Sequence, residues 1–261
     1  MSPELNDLIK WAREAGGLLR ERFGGNHTIR FKGSTDIVTE ADHQSEALLM
    51  ERILSRFPTH TIITEESGYL NGNDDHCWYL DPIDGTINFA HGFAFFCVSI
   101  AYAEAGSLKL GVVYDPIHEE LFSAELGQGA YLNGKPIHPG NATELHECLL
   151  VSGLPHHDHS PHTDAAFACF RDLTLRSQGV RRLGSAALDL CYTACGRLDG
   201  YWELSVQHYD IAASALIARE AGCIVTKVNG DDDILKPPVS ILAGNAQVYA
   251  LLRETVQRHG L

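Results

Sequence analysis

Trp78-Tyr79-Leu80-Asp81-Pro82-Ile83-Asp84-Gly85-Thr86-Ile87-Asn88-Phe89 sets two carboxylates three residues apart at the end of an apolar run. The residues from Cys77 to Leu80 read as a buried strand that Pro82 stops. Gly85-Thr86 then opens a turn whose bare amides can face an anion, as at a helix N-terminus. Hard oxygen ligands beside phosphate-binding amides point to magnesium-dependent phosphate chemistry. Upstream, Ile62-Ile63-Thr64-Glu65-Glu66-Ser67 ends a short apolar strand on two further carboxylates, and open α/β sheets gather their sites at strand ends. Glu65, Asp81 and Asp84 converge only if the two strands are neighbours, which the sequence leaves open. Taken alone, Glu65-Glu66 is a solvated turn.

On the N-terminal side, Ser2 and Pro3 suit a helix start, and Leu5, Leu8, Ile9, Ala12, Ala15 and Leu19 recur at helical spacing until Gly24-Gly25. A second helix is expected from about Asp42 to Phe57, with Pro58 as its stop. After Phe95 the pattern becomes strands, from Phe96 to Tyr102, Leu108 to Tyr114 and Leu121 to Leu126, which read as an antiparallel meander. Asn133-Gly134 signals a type I′ hairpin. Beyond it, strands at Cys148 to Ser152, Gly200 to Glu203, Cys223 to Val228 and Ser240 to Ala243 alternate with four helices. Those helices are expected near Thr163 to Leu175, Ser185 to Cys195, Asp210 to Ala221 and Ala246 to Arg258. An α/β or α+β layered sandwich follows. At 261 residues the chain is either one domain or two fused halves.

The formal net charge of −14 argues against a nucleic-acid or anionic-membrane surface, either of which needs a basic face. Seven cysteines, an odd total with no CxxC pair, lie mostly in apolar runs and read as reduced core residues. Cys191 and Cys195 share a helix face without the further ligands a zinc site needs. Pro155-His156-His157-Asp158-His159-Ser160-Pro161-His162 crowds four histidines, but two prolines and irregular spacing favour a solvated loop over a metal site. The start at Met1 has no basic region followed by an apolar core, and no run approaches the ~18 apolar residues of a membrane span. A cytoplasmic enzyme is expected.

Asp81-Pro82-Ile83-Asp84-Gly85-Thr86-Ile87-Asn88-Phe89 resembles the first signature of the inositol monophosphatase family, the lithium-sensitive, magnesium-dependent phosphatases. A second signature appears as Tyr209-Asp210-Ile211-Ala212-Ala213-Ser214-Ala215-Leu216-Ile217-Ala218-Arg219-Glu220-Ala221-Gly222. Lys32 to Asp42 and Gly184-Ser185-Ala186-Ala187 also match, so the resemblance covers nearly the whole chain. It implies a layered αβαβα sandwich of the inositol monophosphatase and fructose-1,6-bisphosphatase type. A single catalytic domain would span 1–261, with halves of about 1–143 and 144–261.

Position by position, the resemblance implies a first Mg²⁺ on Glu65, Asp81 and the Ile83 carbonyl. A second lies on Asp81, Asp84 and Asp210, a third and weaker ion sits beside Glu65, and Mn²⁺ is able to substitute. Packed carboxylates repel one another and take up protons unless cations neutralise them, which is the physical need such ions meet. Asp42 and Thr86 match the pair that activates the attacking water, Glu65 assisting, although a lone Thr or Asp in such a place is otherwise a helix cap. The amides of Gly85 and Thr86 hold phosphate oxygens, Glu203 faces the alcohol, Ala187 lies in the segment that lines the same pocket, and Asp210 also counts among the substrate-binding residues. Tyr209 for the family's Trp, Thr64 for its Gly, and the stretch from Leu204 to Tyr209 depart from the pattern and leave the alcohol open.

The expected activity is hydrolysis of inositol 1-phosphate or a similar small polyol phosphate by a homodimer that binds neither nucleic acid nor membrane. Fructose 1,6-bisphosphate, NADP, a nucleotide 3′-phosphate and histidinol phosphate are the rival substrates. A partner-binding protein with secondary phosphatase activity is the rival class.

Overall fold

The computed structural model describes residues 2–25, 30–31, 37–70, 72–154 and 161–261; parts of two quoted segments, 32–36 and 155–160, lie outside them. Helix α1 (Leu5–Arg22) buries Leu8, Trp11, Ala12, Ala15 and Leu19 along one stripe. It begins later than Ser2-Pro3 suggests, because the Glu4 amide donates to Asp7 Oδ2 (3.2 Å) and fixes the N-cap there. A short antiparallel pair, β1 (Arg30–Phe31) and β2 (Ile37–Val38), leads into α2 (Glu40–Arg56).

Eight strands then form the larger sheet. They are β3 (His60–Thr64), β4 (Gly68–Leu70), β5 (Asn73–Asp84), β6 (Cys97–Glu104), β7 (Ser107–Asp115), β8 (Glu120–Glu125), β9 (Ala130–Leu132) and β10 (Lys135–Pro136). Their order is β10-β9-β8-β7-β6-β5-β3-β4, with β3 and β5 parallel and the other neighbours antiparallel. The β6-β7-β8 meander and the β9-β10 hairpin stand where the pattern places them. Asn133 and Gly134 both take positive φ (49° and 75°), as a type I′ turn requires.

Pro82 does not stop β5, contrary to the sequence reading. The strand continues to Asp84, while pairing with β6 jumps from Asp81↔Ser99 to Asp84↔Cys97 and pairing with β3 ends at Leu80. Pro82 and Ile83 therefore occupy a bulge without ladder partners, where a missing N–H costs nothing.

The smaller sheet holds β11 (Leu149–Ser152), β12 (Gly179–Arg181), β13 (Gly200–Glu203), β14 (Ile224–Thr226) and β15 (Ile241–Gly244), in the order β12-β11-β13-β15-β14. The remaining helices are α3 (Thr86–Ala90), α4 (Pro161–Arg176), α5 (Ala186–Ala194), α6 (His208–Ala221) and α7 (Ala246–Arg258). Alternation along β5 divides the core. Trp78 and Leu80 join α1 and α2 on one face, while Tyr79 faces α5 and α6 on the other. Those two helices also cover one face of the smaller sheet through Tyr201, Val225 and Ile241. Trp202 and Leu242 pack its other face with Cys169 and Leu173 of α4 and Val248, Leu252 and Val256 of α7. Five layers result, in the order αβαβα. All seven cysteines are free thiols, and no helix among the described residues is long and apolar enough to cross a membrane.

Candidate active site

The parallel pairing of β3 with β5 supplies the adjacency that the sequence left open: Thr64 lies opposite Leu80, so Glu65 and Asp81 stand side by side just past the last paired residues of the two strands. Glu65, Asp81, Ile83, Asp84, Gly85, Thr86, Glu203 and Asp210 all line one cleft of about 270 Å³. The cleft runs between the end of the larger sheet and the N-terminal ends of α5 and α6.

Each acidic group is oriented by its own local device. Asp81 Oδ1 accepts from the Ile83 amide (3.0 Å), and this contact closes the bulge; Ser45 Oγ pins the same bulge by donating to the Pro82 carbonyl (2.9 Å). Asp84 Oδ2 accepts from Ser185 Oγ (2.6 Å) and the Ala187 amide (2.7 Å), so a β5 carboxylate caps α5. Asp210 Oδ2 accepts from the Gln207 amide (2.7 Å) in the first turn of α6. Glu203 Oε2 accepts from Tyr201 O–H (2.6 Å).

Asp42 sits in the first turn of α2. Its Oδ2 accepts from the Thr39 amide (2.8 Å) and Oγ1 (2.7 Å), while Oδ1 accepts from Thr86 Oγ1 (2.9 Å). Capping and the contact to Thr86 are thus one arrangement: one oxygen holds the helix end, and the other holds Thr86, which lines the cleft where Asp42 itself does not. Thr86 Oγ1 also lies 3.0 Å from the Ile83 carbonyl.

Gly85 adopts φ 99°, and a Cβ there would stand 3.0 Å from the Phe95 carbonyl and 3.3 Å from that of Gly184. Both the backbone angle and the close approach demand glycine. Asn88 closes the same junction, donating through Nδ2 to the carbonyls of Phe95 (2.7 Å) and Leu183 (2.8 Å).

Burial raises these carboxyls. Asp81 is pushed well above the usual range by desolvation and then by Glu65, Asp84 and Asp210. Asp84 rises to about 6, desolvation outweighing the hydrogen bonds from Ser185 and Ala187. Desolvation, then repulsion by Asp84, raises Asp210 well above the ordinary value. Glu203 is driven up to about 7 by desolvation despite Tyr201. Asp42 is also raised by burial, against the pull of Thr39 and Thr86.

Oxygen donors of this kind fit a hard divalent cation, and the mutual repulsion of Asp81, Asp84 and Asp210 is what such a cation would relieve. Among the described residues no three acidic, imidazole or thiolate side chains already stand as a closed coordination shell, so an ion would draw the carboxylates inward.

Ala187 is a correction to the sequence reading. It is fully buried and its amide is spent on Asp84, while Ala186, one position earlier, lines the cleft. Arg182, Asp189, Gly153 and Val206 also line the cleft without having been singled out. Gly153 carried a signal only in three dimensions: a Cβ there would fall 1.9 Å from Glu203 Cδ. A second cavity of about 890 Å³ opens beyond Glu203, lined by Leu154, Lys227, Pro237 and Leu261 among others, and Glu203 borders both.

The fold and the carboxylate-lined cleft define a five-layer α/β protein with its acidic site between two sheets. The chain matches the model of the inositol monophosphatase family over residues 1–261 and belongs to that family. It is 38% identical to the Nus factor SuhB of Pseudomonas aeruginosa over 265 residues, 99% of this chain and 97% of the relative. It is 37% identical to the inositol-1-monophosphatase of Mesorhizobium japonicum over 257 residues, 97% and 96% of the two chains. The crystal structure of the extragenic suppressor protein suhB of Bartonella henselae superposes with a TM-score of 0.91 at 37% identity, covering 97% of this chain and 98% of that one.

Proposed function

We propose that the chain is a Mg²⁺-dependent phosphomonoesterase acting on inositol 1-phosphate or a similar small polyol phosphate, working as one catalytic unit over 1–261. The observation that carries this reading is the convergence of Glu65, Asp81, Asp84 and Asp210 on one cleft beside the Asp42–Thr86 hydrogen bond. Glu65, Asp81 and the Ile83 carbonyl would hold one ion, and Asp81, Asp84 and Asp210 a second. Bound there, the ions supply charge neutralisation, acidify water and steady the departing oxygen.

The chain's own residues do the rest. A single hydroxyl hydrogen serves one acceptor at a time, and ionised Asp42 is a stronger acceptor for Thr86 than the Ile83 carbonyl. Thr86 Oγ1 passes its proton to Asp42 Oδ1 as it takes one from the attacking water. The water oxygen bonds to phosphorus, the ester P–O bond breaks, and the departing alkoxide takes a proton from a solvent water to leave as the alcohol, the resulting hydroxide recovering the proton held on Asp42. The raised proton affinity of Asp42 suits it to the receiving role. The amides of Gly85 and Thr86 face the phosphate oxygens, held in place by the close junction of Gly85 with Phe95 and Gly184. Glu203, with one oxygen committed to Tyr201, offers the other to a hydroxyl of the alcohol.

Asp81→Asn removes the bridging charge and is expected to lower Mg²⁺-dependent phosphate release about 100-fold or more. Near-normal turnover by that variant would sink the assignment. The cavity beyond Glu203 keeps larger alcohols in contention. A panel of inositol 1-phosphate, fructose 1,6-bisphosphate, NADP, a nucleotide 3′-phosphate and histidinol phosphate at fixed Mg²⁺, ranked by kcat/KM, decides among them. Lithium inhibition and a homodimer belong to the same reading.

The Nus factor name borne by the Pseudomonas aeruginosa relative supports a second reading, a partner-binding role beside catalysis. Affinity capture with the Asp81→Asn protein tests it, and recovery of no stable partner counts against it.

A further inference from the structure

Asp189 lies one turn into α5, is 2% exposed and lines the cleft that holds Glu203 and Asp84. Its backbone carbonyl accepts from Thr193 Oγ1 (2.9 Å), as an ordinary helical residue's can. One oxygen of its side chain sets it apart from the other carboxylates of the cleft. Asp81, Asp84, Asp210 and Glu203 each have an oxygen fixed by an amide or hydroxyl donor. Asp189 Oδ1 is buried with no hydrogen-bond partner. A buried acceptor without a donor is costly, and one at the wall of an open cleft is an acceptor held ready for something that enters.

We infer that Asp189 is a specificity-determining residue which accepts a hydrogen bond from a hydroxyl of the leaving alcohol, pairing with Glu203 to read two hydroxyls of a polyol. The inference rests on the phosphatase reading above and assigns the side of the cleft that reading leaves least defined. Gly153, Glu203 and Asp189 all line the cleft, Gly153 lies against the Glu203 carboxylate, and Asp189 feels the charge of Glu203. Gly153 leaves the room that the Glu203 carboxylate occupies, Tyr201 fixes one Glu203 oxygen, and α5 presents Asp189 from the neighbouring layer.

Two acceptors on one wall suit a ligand with two donors. A phosphate ester whose alcohol has no hydroxyl leaves both unpaired. Such a site discriminates strongly, because the wrong substrate leaves the protein's buried polar groups without partners. Arg182 also lines the cleft and offsets part of the charge of this wall, which favours neutral hydroxyl donors over a second full cation.

The test compares wild type, Asp189→Ala and Asp189→Asn in Mg²⁺, with inositol 1-phosphate, phenyl phosphate and phosphoethanolamine as substrates. In Asp189→Ala the ratio of kcat/KM for inositol 1-phosphate over phenyl phosphate is expected to fall about 10- to 100-fold, mainly through KM. Asp189→Asn keeps one acceptor oxygen and the side-chain shape, so it is expected to recover part of that ratio; it also decides the matter should the alanine variant fold poorly. A ratio unchanged within about twofold in both variants overturns the inference, because loss of structure or metal would lower both substrates alike. A wild-type preference for phosphoethanolamine that Asp189→Ala abolishes also overturns it, in favour of an ammonium site. Failure of wild type to hydrolyse any of the three in Mg²⁺ strikes the phosphatase reading itself and is thereby distinguished.

Discussion

Adding Mg²⁺ should stabilise the protein by an amount that grows with pH, and the structure sets the size of that growth. Asp84 rises from an ordinary 3.8 to about 6 in the folded chain, about two pH units or roughly 3 kcal/mol. The sign follows from proton counting. Below pH 3.8 both states hold the proton and the group costs nothing. As pH rises through the window up to about 6, the unfolded chain releases its proton while the folded chain retains it, so folding loses up to ~1.4 kcal/mol per unit. Above about 6 the loss is complete.

Glu203, raised from 4.5 to about 7, extends the window upward; it keeps a solvent-facing edge, so about half of its roughly 3 kcal/mol is counted. Together they cost the metal-free protein ~4–5 kcal/mol by neutral pH, before the upward shifts of Asp81 and Asp210 are added. Ions that bind only the folded cleft recover the Asp84 share as it ionises, and of the Glu203 share only what repulsion by Asp84 contributes. At ~2–4 °C per kcal/mol for a chain of this size, the Tm gain from saturating Mg²⁺ should be near zero at about pH 4 and ~10 °C or more at about pH 7.5. Scanning calorimetry in chelator and in Mg²⁺, with NaCl matched for ionic strength, measures both. A gain that is equal at the two pH values, or absent at both, refutes the reasoning.

Thr86→Ala and Asp42→Asn should each lower kcat about 10²- to 10⁴-fold with KM little changed, and both should keep the Mg²⁺ gain in Tm, as stopped assays and calorimetry will show. Gly85→Ala forces a side chain into a positive-φ position 3.0 Å from the Phe95 carbonyl, so it should cost roughly 2–3 kcal/mol or more in chemical denaturation. Gly153→Ala meets only the far end of Glu203. Its Tm should fall by no more than a few degrees while KM for inositol 1-phosphate rises about 10-fold as the carboxylate swings away, and an unchanged KM would remove Glu203 from the alcohol site.

The layered α/β class, the β6-β7-β8 meander, the Asn133-Gly134 hairpin and the range of α7 were legible because each rests on local information: alternation, turn chemistry or helical period. The order of the strands was not. No local pattern states that β3 lies parallel beside β5, yet that pairing alone brings Glu65 to Asp81. Pro82 misled for a related reason: proline stops a strand only where its N–H would be needed, and the ladders on both sides of β5 skip that residue. Of the site, the residues in signature segments were readable, whereas Gly153 and Asp189 were not. Gly153 matters through the volume it leaves for Glu203, and Asp189 through a donor it lacks, and both are relations between distant parts of the chain.

Those relations bear on how the site is held. Asp84 belongs to β5 of the larger sheet, but its Oδ2 is bonded to Ser185 and Ala187 at the start of α5, and Gly85 beside it touches the backbone of Gly184. Asn88 makes the same crossing to Leu183. The acidic cluster is therefore built across the junction between the two sheets, and repulsion among its carboxylates acts directly on the bonds that tie Asp84 to the start of α5 and on the packing of α5 against β6 and β7. Neutralising that repulsion tightens the junction and the cleft together, so metal affinity, substrate affinity and folding stability should move in the same direction in any variant that loosens the Asp84–Ser185 contact.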